Sequence, residues 1–76
     1  MEERSYIIIE TSSSKFEKTS EVLEGLKERG IVLHMQREKH LPMYPSVSRY
    51  WLECVGGTTY FDIRDICKSE GIGLLD

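Results

Sequence analysis

The sequence predicts an α+β domain, a two-layer sandwich of βαββαβ order. Three observations lead there. Tyr6-Ile7-Ile8-Ile9 is a short β-branched run, apolar residues recur at helical spacing from Phe16 to Leu26, and two later segments alternate with period two. A chain of 76 residues fills one core and not two, so residues 1–76 are read as a single domain.

The run Tyr6–Ile9, flanked by polar residues, suits a strand buried on both faces better than a helix. Thr11-Ser12-Ser13-Ser14 interrupts it. Ser14-Lys15-Phe16-Glu17 then has the capping-box form, so a first helix is expected to start there. Phe16, Thr19, Val22, Leu23 and Leu26 supply its apolar stripe, and Lys27, Arg29 and Gly30 its basic last turn and stop. Gly25 interrupts that helix at a cost of about 1 kcal/mol relative to alanine.

Ile31 to Glu38 sets Ile31, Leu33 and Met35 against Val32, His34 and Gln36, the pattern of a second strand with one wetter face. Pro42 and Pro45 exclude a ladder over Lys39 to Val47, which reads as a long hairpin loop. Arg49 to Val55 alternates again, with Tyr50, Leu52 and Cys54 on one face and Arg49, Trp51 and Glu53 on the other. That is the third strand. Gly56-Gly57-Thr58-Thr59 breaks it and offers N-caps to a second helix, in which Phe61, Ile63, Ile66 and Cys67 face the core and Gly71 ends it. Ile72 to Leu75 is long enough for a short fourth strand.

Right-handed crossovers applied to this order give the ferredoxin-like sandwich, an antiparallel sheet with both helices on one face. Its first and third strands are expected to lie parallel in the middle, which would make neighbours of the turns Thr11–Ser14 and Gly56–Thr59. The alternative is an open α+β arrangement whose last strand is missing. Two adjacent helix amino termini would form a site for an anion or amide, although ordinary capping accounts for either turn alone. The Gly-Gly-Thr-Thr turn lacks the spacing and the lysine of a phosphate-binding loop.

Composition narrows the function classes. Hydrophobic residues make up 39% of the chain and charged ones 30%, with net charge −3, which suits a globular domain and disfavours a polyanion binder. The aromatic open face carries no basic-aromatic signature, so no nucleic-acid partner is expected. No apolar stretch reaches the roughly 18 residues of a membrane span, and the start Met1-Glu2-Glu3-Arg4 does not lead into a signal peptide. The expected location is cytoplasmic and the expected membrane contact none. Cys54 and Cys67 are too few and too far apart for a disulfide framework or a metal knuckle, and read as reduced core thiols.

His34, His40 and the two cysteines sit at no metal-ligand spacing, so no metal or cofactor is expected. Glu53, Asp62 and Asp65 have no partner base, and the aspartates suit the first turns of a helix. No catalytic constellation is present in the sequence, and the chain is not expected to be an enzyme. The sheet should leave one face uncovered, exposing Trp51 with either Tyr6 and Ile8 or Ile7 and Ile9.

Three segments carry a family resemblance. Val22-Leu23-Glu24-Gly25-Leu26, then Ile31-Val32-Leu33-His34-Met35, and after a basic loop Tyr50-Trp51-Leu52-Glu53-Cys54 together resemble the ACT domain. They are most similar to the regulatory ACT domains of aromatic amino acid hydroxylases. The family's glycine pair between first strand and first helix is replaced by Ser12-Ser13-Ser14-Lys15, and its Glu-Ser-Arg after the histidine by Gln36-Arg37-Glu38 following Met35. The resemblance implies a non-catalytic regulatory or sensor domain, either free-standing or part of a larger protein. Such a domain binds a small ligand, often an amino acid, at a dimer interface. The matching positions are Ser13, Ser14, Lys15, Phe16, Val32 and His34.

A second hypothesis needs no small ligand. In it the domain is a protein-protein interaction module acting through its open sheet face and the 39–47 loop, where Leu41, Met43 and Tyr44 are anchors stiffened by flanking prolines. Homodimerisation is expected under either, because a core this small only just offsets the ordering cost.

Overall fold

The computed structural model describes residues 3–75. Strand β1 (Arg4–Ser12) leads through a tight turn at Ser13–Lys15 into helix α1 (Phe16–Glu28). Strands β2 (Val32–Glu38) and β3 (Val47–Val55) follow, and then helix α2 (Tyr60–Ser69). The sheet has the order β1-β3-β2, with β3 antiparallel to both neighbours.

That geometry corrects the expected parallel pairing of the middle strands. The crossover through α1 makes β1 and β2 parallel, and the hairpin makes β3 antiparallel to β2, so β3 must run against β1 as well. In register, Ser12 meets Val47 and Arg4 meets Val55. The turn after β1 and the turn after β3 therefore lie at opposite ends of the sheet.

One face of the sheet holds the core. Ile7 and Ile9 of β1 and Tyr50, Leu52 and Cys54 of β3 are buried with Leu23 and Leu26 of α1 and Ile63 and Cys67 of α2. The β1 alternation thus places Ile7 and Ile9 inward and leaves Tyr6 and Ile8 outside. Phe61, expected in the core, is 60% exposed, while Tyr60 packs against the cluster in its place. Thr59 caps the helix, and Tyr60 shares a face with the buried Ile63 and Cys67, three and seven residues on, whereas Phe61 lies about 100° round the helix from it.

The helix starts differ. At α2 the Thr59 hydroxyl accepts from the Asp62 amide and the Asp62 carboxylate accepts from the Thr59 amide, a complete capping box. At α1 the expected Ser14–Glu17 box does not form. Lys15 occupies the cap position without a side-chain bond, and the Ser12 hydroxyl accepts from the Ser14 amide at 3.4 Å instead. The Ser13 hydroxyl is engaged elsewhere, 2.9 Å from the Lys39 carbonyl and 3.0 Å from the Pro45 carbonyl, which ties this turn to the hairpin loop.

Both helices end alike. Gly30 and Gly71 take positive φ, and Ile31 and Ile72 donate back to the Leu26 and Cys67 carbonyls, the Schellman pattern with an isoleucine folded inward after it. Beyond α2, Ile72 is buried. The fourth strand expected at Ile72–Leu75 is reduced to a single antiparallel bridge, Thr11 to Leu74, with the Leu75 amide donating to the Glu10 carbonyl at 2.8 Å. Ile72 is committed to closing the helix, its amide donating to the Cys67 carbonyl, so the pairing with β1 begins only after it.

Candidate binding face

The side of the sheet opposite the helices carries no element among the described residues. Register places its outward residues in cross-strand rows. Tyr6, Glu53 and His34 form one, Ile8, Trp51 and Gln36 the next, and Glu10, Arg49 and Glu38 the third. Tyr6 is 75% exposed and Ile8 56%, with Trp51 half-buried between the strands that carry them. The first two rows line a shallow depression of about 380 Å³.

Ion pairs frame this apolar centre. Arg4 is bonded to Glu53, and Arg49 Nε donates to Glu10 at 2.7 Å while its guanidinium sits 5.7 Å from the centre of the Trp51 ring. Each arginine of the face is thus matched by a carboxylate. A polyanion would meet no free positive charge in these two pairs, and a planar ligand or apolar side chain would meet Tyr6, Ile8 and Trp51.

The six residues expected to bind ligand are divided by the fold. Ser13 lies against the loop, its amide donating to the Ser46 carbonyl, whereas His34 stands opposite Glu53. The Ser48 hydroxyl lies 3.2 Å from that of Ser13, and from Ser48 to Glu53 is five strand steps, about 16 Å at 3.3 Å each. Ser14 and Lys15 are exposed near Ser13, and Phe16 stacks on the core residue Tyr50 at 5.6 Å between ring centroids. Val32 is buried in the core and His34 is exposed on the open face, so these two point to opposite sides of the sheet. A β-bulge between them shifts the pairing by one residue and breaks the simple alternation. The joint site expected from the turns Thr11–Ser14 and Gly56–Thr59 does not form either.

The loop between β2 and β3 is ordered by its own bonds. Leu41 donates to Val47, Val47 to Tyr44 and Tyr44 to Leu41, and His40 Nδ1 lies 2.8 Å from the Pro45 carbonyl. Of the three expected anchors Leu41 is buried, while Met43 and Tyr44 are exposed. Sequence reasoning had named Trp51 and the two possible β1 pairs. It passed over Gln36 and the matched arginines, whose partners become visible only through cross-strand register.

Cys54 and Cys67 are free and buried, and burial pushes both thiols up, that of Cys67 to about 11. Among the described residues no three His, Cys, Asp or Glu side chains gather as a metal site would require, and no helix is long and apolar enough to cross a membrane. Comparison with known protein families, with curated proteins and with solved structures finds no match to this chain.

Proposed function

We propose that this chain is a non-catalytic interaction module that docks a protein partner on its open sheet face. The observation that carries the reading is the exposure of Tyr6 and Ile8 beside Trp51 on a face that no described element covers. Tyrosine, tryptophan and arginine are the residue types that dominate interface energetics, and here they lie together with paired charges at the rim. The exposed Met43 and Tyr44 of the loop extend the contact area at the Ser13 end of the domain.

The test is affinity capture from the native cell with the wild-type chain and with a Tyr6→Ala/Trp51→Ala variant whose folding is checked by circular dichroism. Loss of a specific partner from the folded variant supports the reading. An identical set of captured proteins overturns it.

A second reading, an amino-acid sensor of ACT type, is favoured by one observation: the depression holds His34, Gln36 and Glu53 as polar groups around an apolar floor and has the volume of a small-ligand site. The strand order with Leu74 bridged to the outer edge of β1 supports the ferredoxin-like assignment on which this reading rests. A ligand present at 100 times its Kd stabilises by about 2.7 kcal/mol, so a thermal-shift screen of amino acids at millimolar concentration decides it. Buried, unpaired cysteines accord with a reducing cytoplasm.

A further inference from the structure

Among the described residues, most of the outer edge of β1 carries no strand. Leu74 and Leu75 occupy it at Thr11 and Glu10, and from Ile8 back to Ser5 it borders a groove shared with the start of α2 at Thr58 to Tyr60. The direction of the backbone groups along this edge follows from two bonds. The Glu10 carbonyl accepts from Leu75 on the outer side, and the Ser13 amide donates inward to Ser46. By strand alternation the amides and carbonyls of Arg4, Tyr6 and Ile8 therefore point outward.

The sheet's two edges are not alike. The β2 edge carries a bulge at Val32/His34 and ends in Arg37 and Glu38, features that discourage strand addition. Ser5 to Ile9 has no bulge, proline or charge, and Tyr6 to Ile9 are strong strand formers.

We propose that this edge pairs with the same edge of a second copy of the chain, antiparallel about a two-fold axis at Tyr6. Tyr6 then opposes the partner's Tyr6 and Arg4 opposes the partner's Ile8, three hydrogen-bonded pairs that exchange two bonds each. This register stops one pair short of the Glu10 edge that Leu75 already holds. A register centred on Ile7 would drive Arg4 of one copy into that segment. Charge agrees with the choice, because the diagonal neighbour of Arg4 across the new pairing is the partner's Glu10, within reach of long side chains. The product is a six-stranded sheet on whose open face the Tyr6 and Ile8 side chains of both copies meet. The pairing does not depend on the partner-docking function, since it uses backbone groups at the edge and not the Trp51 surface.

Sedimentation velocity of the full chain across the micromolar range tests it. Wild type should sediment as a dimer. Ile8→Pro removes an outward amide while sparing the β3 ladder, and should be a monomer of unchanged circular dichroism. Ile8→Thr and Trp51→Ala should remain dimers. Amide hydrogen exchange provides a reading on the wild type alone, in case the proline variant does not fold: protection of the Tyr6 and Ile8 amides should rise with protein concentration. A wild-type monomer, a folded Ile8→Pro dimer, a dimer lost in Trp51→Ala, or Tyr6 and Ile8 amides whose exchange ignores concentration would each overturn the proposal.

Discussion

The Tyr50 hydroxyl donates to the Phe16 carbonyl at 3.0 Å while the two rings stack, so a single β3 side chain fixes the start of α1 by both its polar tip and its apolar body. Tyr50 is fully buried at the centre of the sheet. Burial raises its phenol above the ordinary value, against smaller lowering effects from the Ser20 and Thr19 hydroxyls. Tyr50→Phe should therefore cost about 1 kcal/mol, the net worth of one hydrogen bond. Tyr50→Ala, which also leaves a cavity, should cost roughly 3–5 kcal/mol. Denaturant midpoints of the two variants separate the terms, and a neutral Tyr50→Phe would show that stacking alone holds the helix start.

Glycines divide by what surrounds them. A Cβ on Gly25 would meet nothing within 4 Å, so Gly25→Ala should stabilise α1 by about 1 kcal/mol. A Cβ on Gly56 would lie 2.8 Å from the Glu3 carbonyl oxygen, and Gly57 has a φ of +90°. Gly57→Ala should destabilise by about 1–2 kcal/mol, the cost of a left-handed conformation for a residue with a side chain. Thermal melts of the Gly25 and Gly57 variants should shift in opposite directions.

Thr59 and Asp62 cap α2 reciprocally, whereas no side chain caps the Lys15 position of α1. Thr59→Ala should cost about 1 kcal/mol. Lys15→Ala should change stability by less than about 0.5 kcal/mol, as expected of an exposed site that makes no cap. Equal effects at the two positions in chemical denaturation would contradict this assignment of the caps.

The buried thiol of Cys67 supplies a pH dependence at the alkaline end. Its pKa rises from 9.0 to about 11 on folding. Below pH 9 the thiol is neutral in both states and contributes no slope. Between 9 and 11 the unfolded chain ionises while the folded one does not, so stability falls as pH rises through that window and levels beyond it. Cys54 and Tyr50, also raised, act with the same sign. Replacing Cys67 with alanine should flatten the alkaline fall in unfolding free energy, and native Cys67 should resist thiol reagents at neutral pH.

His34 is exposed on the open face, so His34→Ala should change stability by only a few tenths of a kcal/mol. Should an amino acid found by thermal shift occupy the depression, the same substitution should weaken its binding at least tenfold, about 1.4 kcal/mol, in a calorimetric titration. Equal affinities would remove His34 from the site.

Local chemistry made much of the architecture legible. The strand at Tyr6–Ile9, the alternation of Arg49–Val55, the stripe Leu23 and Leu26, and the glycine stops at Gly30 and Gly71 all reflect interactions within a few residues. The start of α1 was misread because Ser12, Ser13 and Ser14 are chemically equivalent caps, and a contact with the distant loop at Pro45 chooses among them. The β1 run was ambiguous for a similar reason. Four consecutive residues that suit a strand do not say which pair faces inward, and pairing with β3 puts Ile7 opposite Leu52 and Ile8 opposite Trp51.

The sequence by itself determined an α+β chain with two strand-helix halves, an uncovered face carrying Trp51, and the glycine stops of both helices, because periodicity and capping act over one or two turns. Only the tertiary structure decided that β3 runs against β1, that Ser13 and His34 stand far apart, and that Leu74 meets β1 at a single bridge. These follow from strand direction and register. A register is set by the summed burial of an entire face, and one residue's slip exchanges the buried set for the exposed one.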